Sequence, residues 1–276
     1  MTTAAATVAR AGRMAAAFLS LGVTTALKYP LGFISEQIQV LGPVVVYFFI
    51  AGFVDADGPE VGGDYFTFVM VGLVAMQTLN AGLRALTNQI DQAVSRGWFE
   101  MILIEPIRWS LLPFAMATWP VLNALIAAAA VSIVALALGA TIDPTGIPAA
   151  IAIALLGVVV GLAIGALASS VKVLAKRGDP ILTFYSIGAL ALSGVYFPID
   201  QLPPYLRWLS YLFVHTYVVS GMRHALLPVE DGLTGPSYQV SISVLTTAAL
   251  ALTPVAVWVF GRAMEFGRKM GLLAGY

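Results

Sequence analysis

Asp200, His215, His224, Glu230 and Asp231 come nearest to a catalytic set, with two imidazoles and three carboxylates on one stretch of chain. Such groups are the material of general acid–base or metal-assisted hydrolysis. Their spacing matches no metal-ligand motif, and two histidines are too few for a His-rich site. The simpler assignment puts the histidines at an interface and leaves the acids to solvate a loop. With no cysteine in the chain, disulfides and thiolate sites are excluded. No Gly-rich segment ends in Gly-Lys-Ser/Thr, so nothing here can cradle nucleotide phosphates. No catalytic, cofactor-binding or metal-binding residue is assigned.

A second concentration of charge runs from Asn88 to Trp109. Asp91, Arg96, Glu100, Glu105 and Arg108 are five of the chain's 28 charged residues (14 basic and 14 acidic). The polar positions Gln89, Gln92, Arg96 and Glu100 recur at helical spacing, and Ile90, Val94, Trp98, Met101 and Ile102 form the opposing stripe. Pro106 disfavours helix at Glu105 and ends the pattern. A short helix over Gln89 to Glu100 results, with one face on the membrane or bundle and one free to dock; a solvated surface helix is the alternative. Arg96 and Glu100 stand at i and i+4, where an exposed pair contributes only about 0.3–0.5 kcal/mol.

The elements that must carry these residues are set by hydropathy. In 276 residues, 59% are hydrophobic and 10% charged, and the mean hydropathy is +0.90. A soluble domain holds roughly a quarter charged residues, so this is an all-α integral membrane protein, forming a single transmembrane domain over 1–276. A zero formal net charge argues against a nucleic-acid partner. A helix needs about 20 apolar residues to cross the hydrocarbon core. Six segments qualify: Phe33 to Phe53, Tyr65 to Leu86, Leu111 to Ala140, Ile147 to Val171, Pro180 to Phe197 and Tyr238 to Gly261.

Residues 1–30 read as an amphipathic helix lying at the membrane surface, retained in the mature chain. Arg10, Arg13, Ser20, Thr24 and Lys28 fall on one side, and Val8, Ala15, Leu19, Val23 and Ala26 on the other. The basic residues flank alternate connections, while Asp55 to Asp64 and Thr141 to Gly146 contain acids but no Lys or Arg. The positive-inside rule therefore places both termini and the 88–109 segment in the cytoplasm, with 262–276 as a cytoplasmic tail.

The middle of every span lacks an ionisable group, which a coupled carrier or an intramembrane enzyme would need. Glu36 and Arg84 lie near the cytoplasmic ends of the first two spans. Gln77, Asn80 and Asn123 sit deeper and read as interhelical hydrogen-bonding groups, with a substrate pathway as the alternative. Gly157, Gly161 and Gly165 form a small-residue ridge for close helix packing. Residues 198–228 are too apolar for a solvated loop and too polar for two further spans. Pro203-Pro204 suits the start of a helix, and a second piece runs from about Val214 to Leu227. Two short external re-entrant helices are expected, closing the pathway. Trp208 and Tyr211 would sit at the membrane interface, and Arg207, His215, Arg223 and His224 would face the exit or the headgroups.

Gly72-Leu73 through Asn80, then Arg96-Gly97-Trp98-Phe99-Glu100-Met101-Ile102-Leu103 and Pro106, resemble the span-plus-coupling-helix pattern of ABC type-2 exporter permeases. Ser193-Gly194-Val195-Tyr196-Phe197-Pro198, then Leu202-Pro203, Leu206, Arg223 and Leu226-Leu227, resemble that family's passage between its fifth and sixth spans. The resemblance covers nearly the whole chain. It implies a second permease copy or a related permease, and two cytoplasmic ATPase subunits that hold ATP and Mg and dock on a coupling helix at 88–109. Gln89, Asp91, Gln92, Arg96, Glu100 and Glu105 are its expected docking residues; Glu105 departs from the small or polar residue that often precedes the proline there. The setting implied is a bacterial inner membrane, and the substrates implied are drugs, lipids or glycolipids. An ATP-independent carrier or channel, or a membrane-embedded enzyme, is the competing reading.

Cysteines introduced at Arg96, Lys176, Asp57 and Asp143 test the topology. A membrane-impermeant thiol reagent applied to intact cells should modify the two acidic positions and spare the two basic ones. Labelling of the basic pair would invert the arrangement.

Overall fold

The computed structural model describes residues 2–53, 64–95, 97, 112–175, 180–227, 233 and 235–270. Among them all regular structure is helical: α1 Thr2–Lys28, α2 Pro30–Ala51, α3 Tyr65–Ser95, α4 Leu112–Ala137, α5 Ile147–Ala175, α6 Pro180–Leu192, α7 Pro204–Ser210, α8 Val214–Leu226 and α9 Tyr238–Lys269. Five of these, α2, α3, α4, α5 and α9, are long and apolar enough to cross a membrane. Arg96, Glu100, Glu105, Asp57, Lys176, Glu230 and Asp231 lie outside the described residues.

Local chemistry sets most boundaries. Pro30 opens α2 immediately after Tyr29, whose backbone is held out of the helical region. Both oxygens of Asp64 cap α3, accepting from the amides of Phe66 and Thr67 at 3.1 Å each. Gly139, at φ +103°, ends α4, and the amide of Ala140 returns to the carbonyl of Ala135 at 3.0 Å. The Asp143 carboxylate accepts from the amide and hydroxyl of Thr145 at 2.8 and 2.7 Å. Those two hydrogen bonds hold its pKa below the usual carboxylate value.

The spine of the molecule is α3, packed chiefly on α5, α4 and α8. Its seam with α5 depends on absent side chains. A Cβ on Gly82 would stand 2.4 Å from the carbonyl oxygen of Val158, one on Gly161 2.6 Å from that of Leu79, and one on Gly165 2.4 Å from that of Leu83. The expected glycine ridge is therefore real at Gly161 and Gly165 and is met by Gly82 from the other helix, while Gly157 instead faces Val218 of α8. By contrast α2 is mostly exposed, with Val44 its buried residue, and its surface displays Val45, Val46 and Phe49, the character of a lipid- or protein-facing wall.

Three expectations need correction. The fifth apolar segment does not make a full-length span: α6 stops at Leu192, and 13 residues rise only about 20 Å. Residues 193–197 continue without helix because Gly194 turns the chain at φ +76° ahead of Pro198. Secondly, Gln89, Asp91 and Gln92 do not start a separate helix; they lie on the last turns of α3, which runs unbroken to Ser95. Thirdly, the packed face of α1 departs from the one expected at Val23, while Ala15, Leu19 and Ala26 are half-buried and Arg13, Ser20, Thr24 and Lys28 exposed, as the amphipathic reading has it. Met14 and Phe18 pack on the lower core, Gly22 lies against Trp119 of α4, and Val23 is exposed.

Overpacking typically costs about 1–3 kcal/mol, so Gly82→Ala and Gly165→Ala should each lower the detergent-solubilised protein's unfolding temperature clearly. Gly42→Ala, whose Cβ meets nothing within 4 Å, should leave it unchanged or raise it, because alanine suits a helix better than glycine. Equal behaviour of the three variants would rule out the seam as a determinant of stability.

Candidate functional site

On α3 the polar positions Gln77, Asn80, Arg84 and Asn88 follow one another at i, i+3, i+7 and i+11, a single stripe on one helix face. Facing it are Glu36 and Gln37 of α2 and Trp119, Pro120 and Asn123 of α4. Together they enclose a cleft of about 400 Å³, into which Gln89 and Gln92 also open. A second cleft of about 350 Å³ shares Glu36, Val40 and Gln77 with the first and extends along Gln39, Pro43 and Leu73.

Asn123 bridges two residues of α2. Its Oδ1 accepts from Nε2 of Gln37 at 2.9 Å, and its Nδ2 donates to Glu36 Oε1 at 3.0 Å. Interhelical hydrogen bonding was the expectation for Asn123, and the structure has it. Gln77 and Asn80 line the cleft. The Oδ1 of Asn80 and the Oε1 of Gln37 are buried atoms with no hydrogen-bond partner. Arg84 donates to the hydroxyl of Ser186 on α6 at 3.2 Å. Just beyond the cleft, Lys172 of α5 meets Asp91 at 2.6 Å, so one expected docking residue is held in an ion pair within the chain. Gln37, Asn88 and Trp119 were not singled out from sequence; the four-position stripe on α3 was the signal that could have found Asn88.

The passage after α6 is the second constructed feature. The three successive carbonyls that leave the helix at Gly194, Val195 and Tyr196 each receive a donor. Arg223 of α8 gives Nη1 to Gly194 at 2.6 Å and Nη2 to Val195 at 2.7 Å, and the hydroxyl of Tyr65 donates to Tyr196 at 3.2 Å. The same guanidinium reaches the carbonyl of Phe68 through Nε and Nη2 at 3.2 and 3.1 Å, and its Cζ lies 3.4 Å from the centre of the Phe68 ring. Gly72 makes this possible, for a Cβ there would stand 2.7 Å from both Arg223 Nη2 and the Val195 oxygen. Tyr196 is further stacked on Tyr47 of α2, ring centres 5.1 Å apart.

These contacts correct the expected exit group. Arg223 is 4% exposed and His215 wholly buried, so neither faces an exit or a headgroup. His215 lies 5.5 Å from the ring of Tyr185 with both ring nitrogens unpartnered. Arg207 is occupied locally, bonded to the backbone oxygen of Asp200 at 2.5 Å and lying 3.3 Å from its carboxylate. His224 Nδ1 lies 2.9 Å from the carbonyl oxygen of Ser220. Trp208 and Tyr211 are exposed. Among the described residues no group of three or more His, Asp or Glu side chains could hold a metal ion.

Replacing Arg223 with Met would strip the donors from Gly194 and Val195. An unsatisfied buried carbonyl costs about 1–3 kcal/mol, so a large fall in thermal stability is expected. Arg223→Lys should fall in between, because one ammonium cannot span the set that the planar fork reaches. Thermal unfolding of the purified variants measures this, and wild-type behaviour of the Lys variant would show that charge alone suffices.

Comparison with curated proteins finds no match for the chain. The family model of the ABC-2 type transporter does match, over residues 15–227. That stretch holds most of α1 and everything from there to α8, including the cleft, the glycine seam and the Arg223 anchor. The match spans well over half of the molecule, and the chain belongs to the ABC-2 type transporter family, as a multi-pass membrane permease component.

Proposed function

We propose that this chain is the membrane-spanning permease of an ATP-driven exporter. It would sit in a bacterial inner membrane with both termini in the cytoplasm. It would pair with a second copy or a related permease over two ATPase subunits, which carry the ATP and Mg that this chain has no motif to bind. The substrate is amphipathic, of the lipid-like, glycolipid or drug-like kind. The observation that carries this reading is the polar cleft between α2, α3 and α4 in a member of a transporter family.

A mechanical route supports it. The stripe that lines the cleft continues along α3 to Gln92, and the helix reaches Ser95 without a break. A push on the 88–109 segment would pass directly into α3. The facing wall, α2, is held by few buried contacts, so it can move relative to α3 at low cost. At the other end of the pathway α7 and α8 serve as the short re-entrant pieces that close it externally, with the carbonyls of the helix break satisfied by Arg223 and Tyr65 as a bilayer requires.

Charge reversal at the coupling segment tests the proposal. With the partner ATPase in proteoliposomes, Arg96→Glu and Glu100→Arg should leave membrane insertion and ATP hydrolysis in place while transport falls about tenfold or more, a coupling loss of about 1.4 kcal/mol or greater. Unchanged transport in both variants, or transport by the permease alone without ATPase, would refute it.

A further inference from the structure

Resting on the permease reading, we infer that the cleft recognises an uncharged, hydroxyl-rich headgroup, such as a sugar, in preference to an anionic or a cationic one. The walls are dominated by carboxamides: Gln37, Gln77, Asn80, Asn88 and Asn123 contribute from three helices. A carboxamide offers a donor and an acceptor side by side, and a hydroxyl does the same, so the two classes match in either orientation. A phosphate or carboxylate only accepts and would gain from the amide hydrogens alone. The cleft also holds two buried acceptors without donors, Asn80 Oδ1 and Gln37 Oε1. Both atoms are closed to a water-sized probe, so a ligand hydroxyl satisfies them only when the carboxamides turn toward the cleft, where an anion would be repelled.

The two charges in the lining do not tilt this balance. Glu36 and Arg84 are of opposite sign and both line the cleft. The Glu36 carboxylate is bonded by Asn123 and Arg84 is engaged with Ser186. The four cationic or titratable groups expected at the exit or the headgroups, Arg207, His215, Arg223 and His224, are committed to backbone, to Asp200 or to the interior. Trp119 adds an aromatic wall in the same cleft, which suits the carbon–hydrogen face of a ring whose hydroxyls point to its edge. A volume of about 400 Å³ falls in the range of roughly 300–1,000 Å³ used for small ligands. The hydroxyl-rich group could belong to a lipid or be free in solution, and binding separates the two sources.

The experiment uses the full chain alone in phosphatidylcholine nanodiscs, with Trp98, Trp109, Trp208 and Trp258 changed to Phe so that Trp119 reports from the cleft wall. The probes are glucosyl-diacylglycerol, free glucose, phosphatidic acid and a long-chain alkylammonium. A saturable change of Trp119 emission with a sugar probe is expected, weakened about fivefold to tenfold by Asn80→Asp, which keeps the shape but loses the donor. Ser243→Ala, exposed on α9, should not alter it. Whichever sugar probe responds identifies the source. Equal or tighter response to phosphatidic acid or the alkylammonium, no response to either sugar, or sugar binding unmoved by Asn80→Asp overturns the inference. ATP-dependent transport by the reconstituted complex is read separately: transport without sugar binding sinks the headgroup assignment alone, and sugar binding without transport sinks the permease reading alone.

Discussion

A backbone carbonyl inside a bilayer has no water to turn to, and at Gly194, Val195 and Tyr196 three in succession leave the helical ladder. Arg223 and Tyr65 answer all three. Everything around that junction is arranged to let them do so. Gly72 clears the space, Phe68 provides an aromatic face for the guanidinium, and α8 is positioned so that its third turn delivers the side chain. The cost of burying a cation is met by four hydrogen bonds and a ring in place of a carboxylate partner. The break after α6 is thereby satisfied from within the protein, and Arg223 ties α3, the end of α6 and α8 together.

From that junction α3 runs to the other end of the molecule with two distinct faces. Gly82 and the backbone beside Leu79 and Leu83 meet α5 without room for a Cβ. Roughly opposite, Gln77, Asn80, Arg84 and Asn88 form the cleft. The close seam fixes the rotation of α3 about its own axis, and the rotation decides which side chains the cleft receives. A helix free to turn by one residue, about 100°, would carry the carboxamides out of the cleft. Precision in the binding surface is thus inherited from an interface that contributes no side chain to it.

Hydropathy made four spans and the last one legible, because 20 or more apolar residues admit few alternatives. It could not separate α6 from a full span. Val195, Tyr196 and Phe197 are as apolar as the helix before them, and only the Gly194 and Pro198 pair marks the turn. The glycine ridge was readable from its spacing, but the contribution of Gly82 required knowing which helix it meets. Arg223 and His215 were misplaced for a related reason: a cation beside a membrane is ordinarily at its surface, and the orphan carbonyls that draw Arg223 inward belong to residues 28 and 29 positions earlier. The coupling segment was given a start at Gln89 from the helical spacing of its polar residues, and spacing alone could not show that the same helix had begun at Tyr65 and runs unbroken to Ser95. Asn123 was correctly read as an interhelical bridge, since a lone amide among alanines has little else to bond.

The unequal anchoring of the helices gives the molecule a mechanical anisotropy. Along the α3–α5 seam any displacement compresses backbone against backbone, a contact with almost no elastic range. Across the cleft, α2 is tethered by the Gln37 and Glu36 bonds to Asn123 and by the stacking of Tyr47 on Tyr196, each worth on the order of 1 kcal/mol. Phe48 adds an edge-on contact with Phe66 of α3, yet none of these contacts is of the backbone-on-backbone kind that closes the seam. Of the two interfaces the cleft is the softer one, and a displacement of the bundle would change its width before it changed the seam.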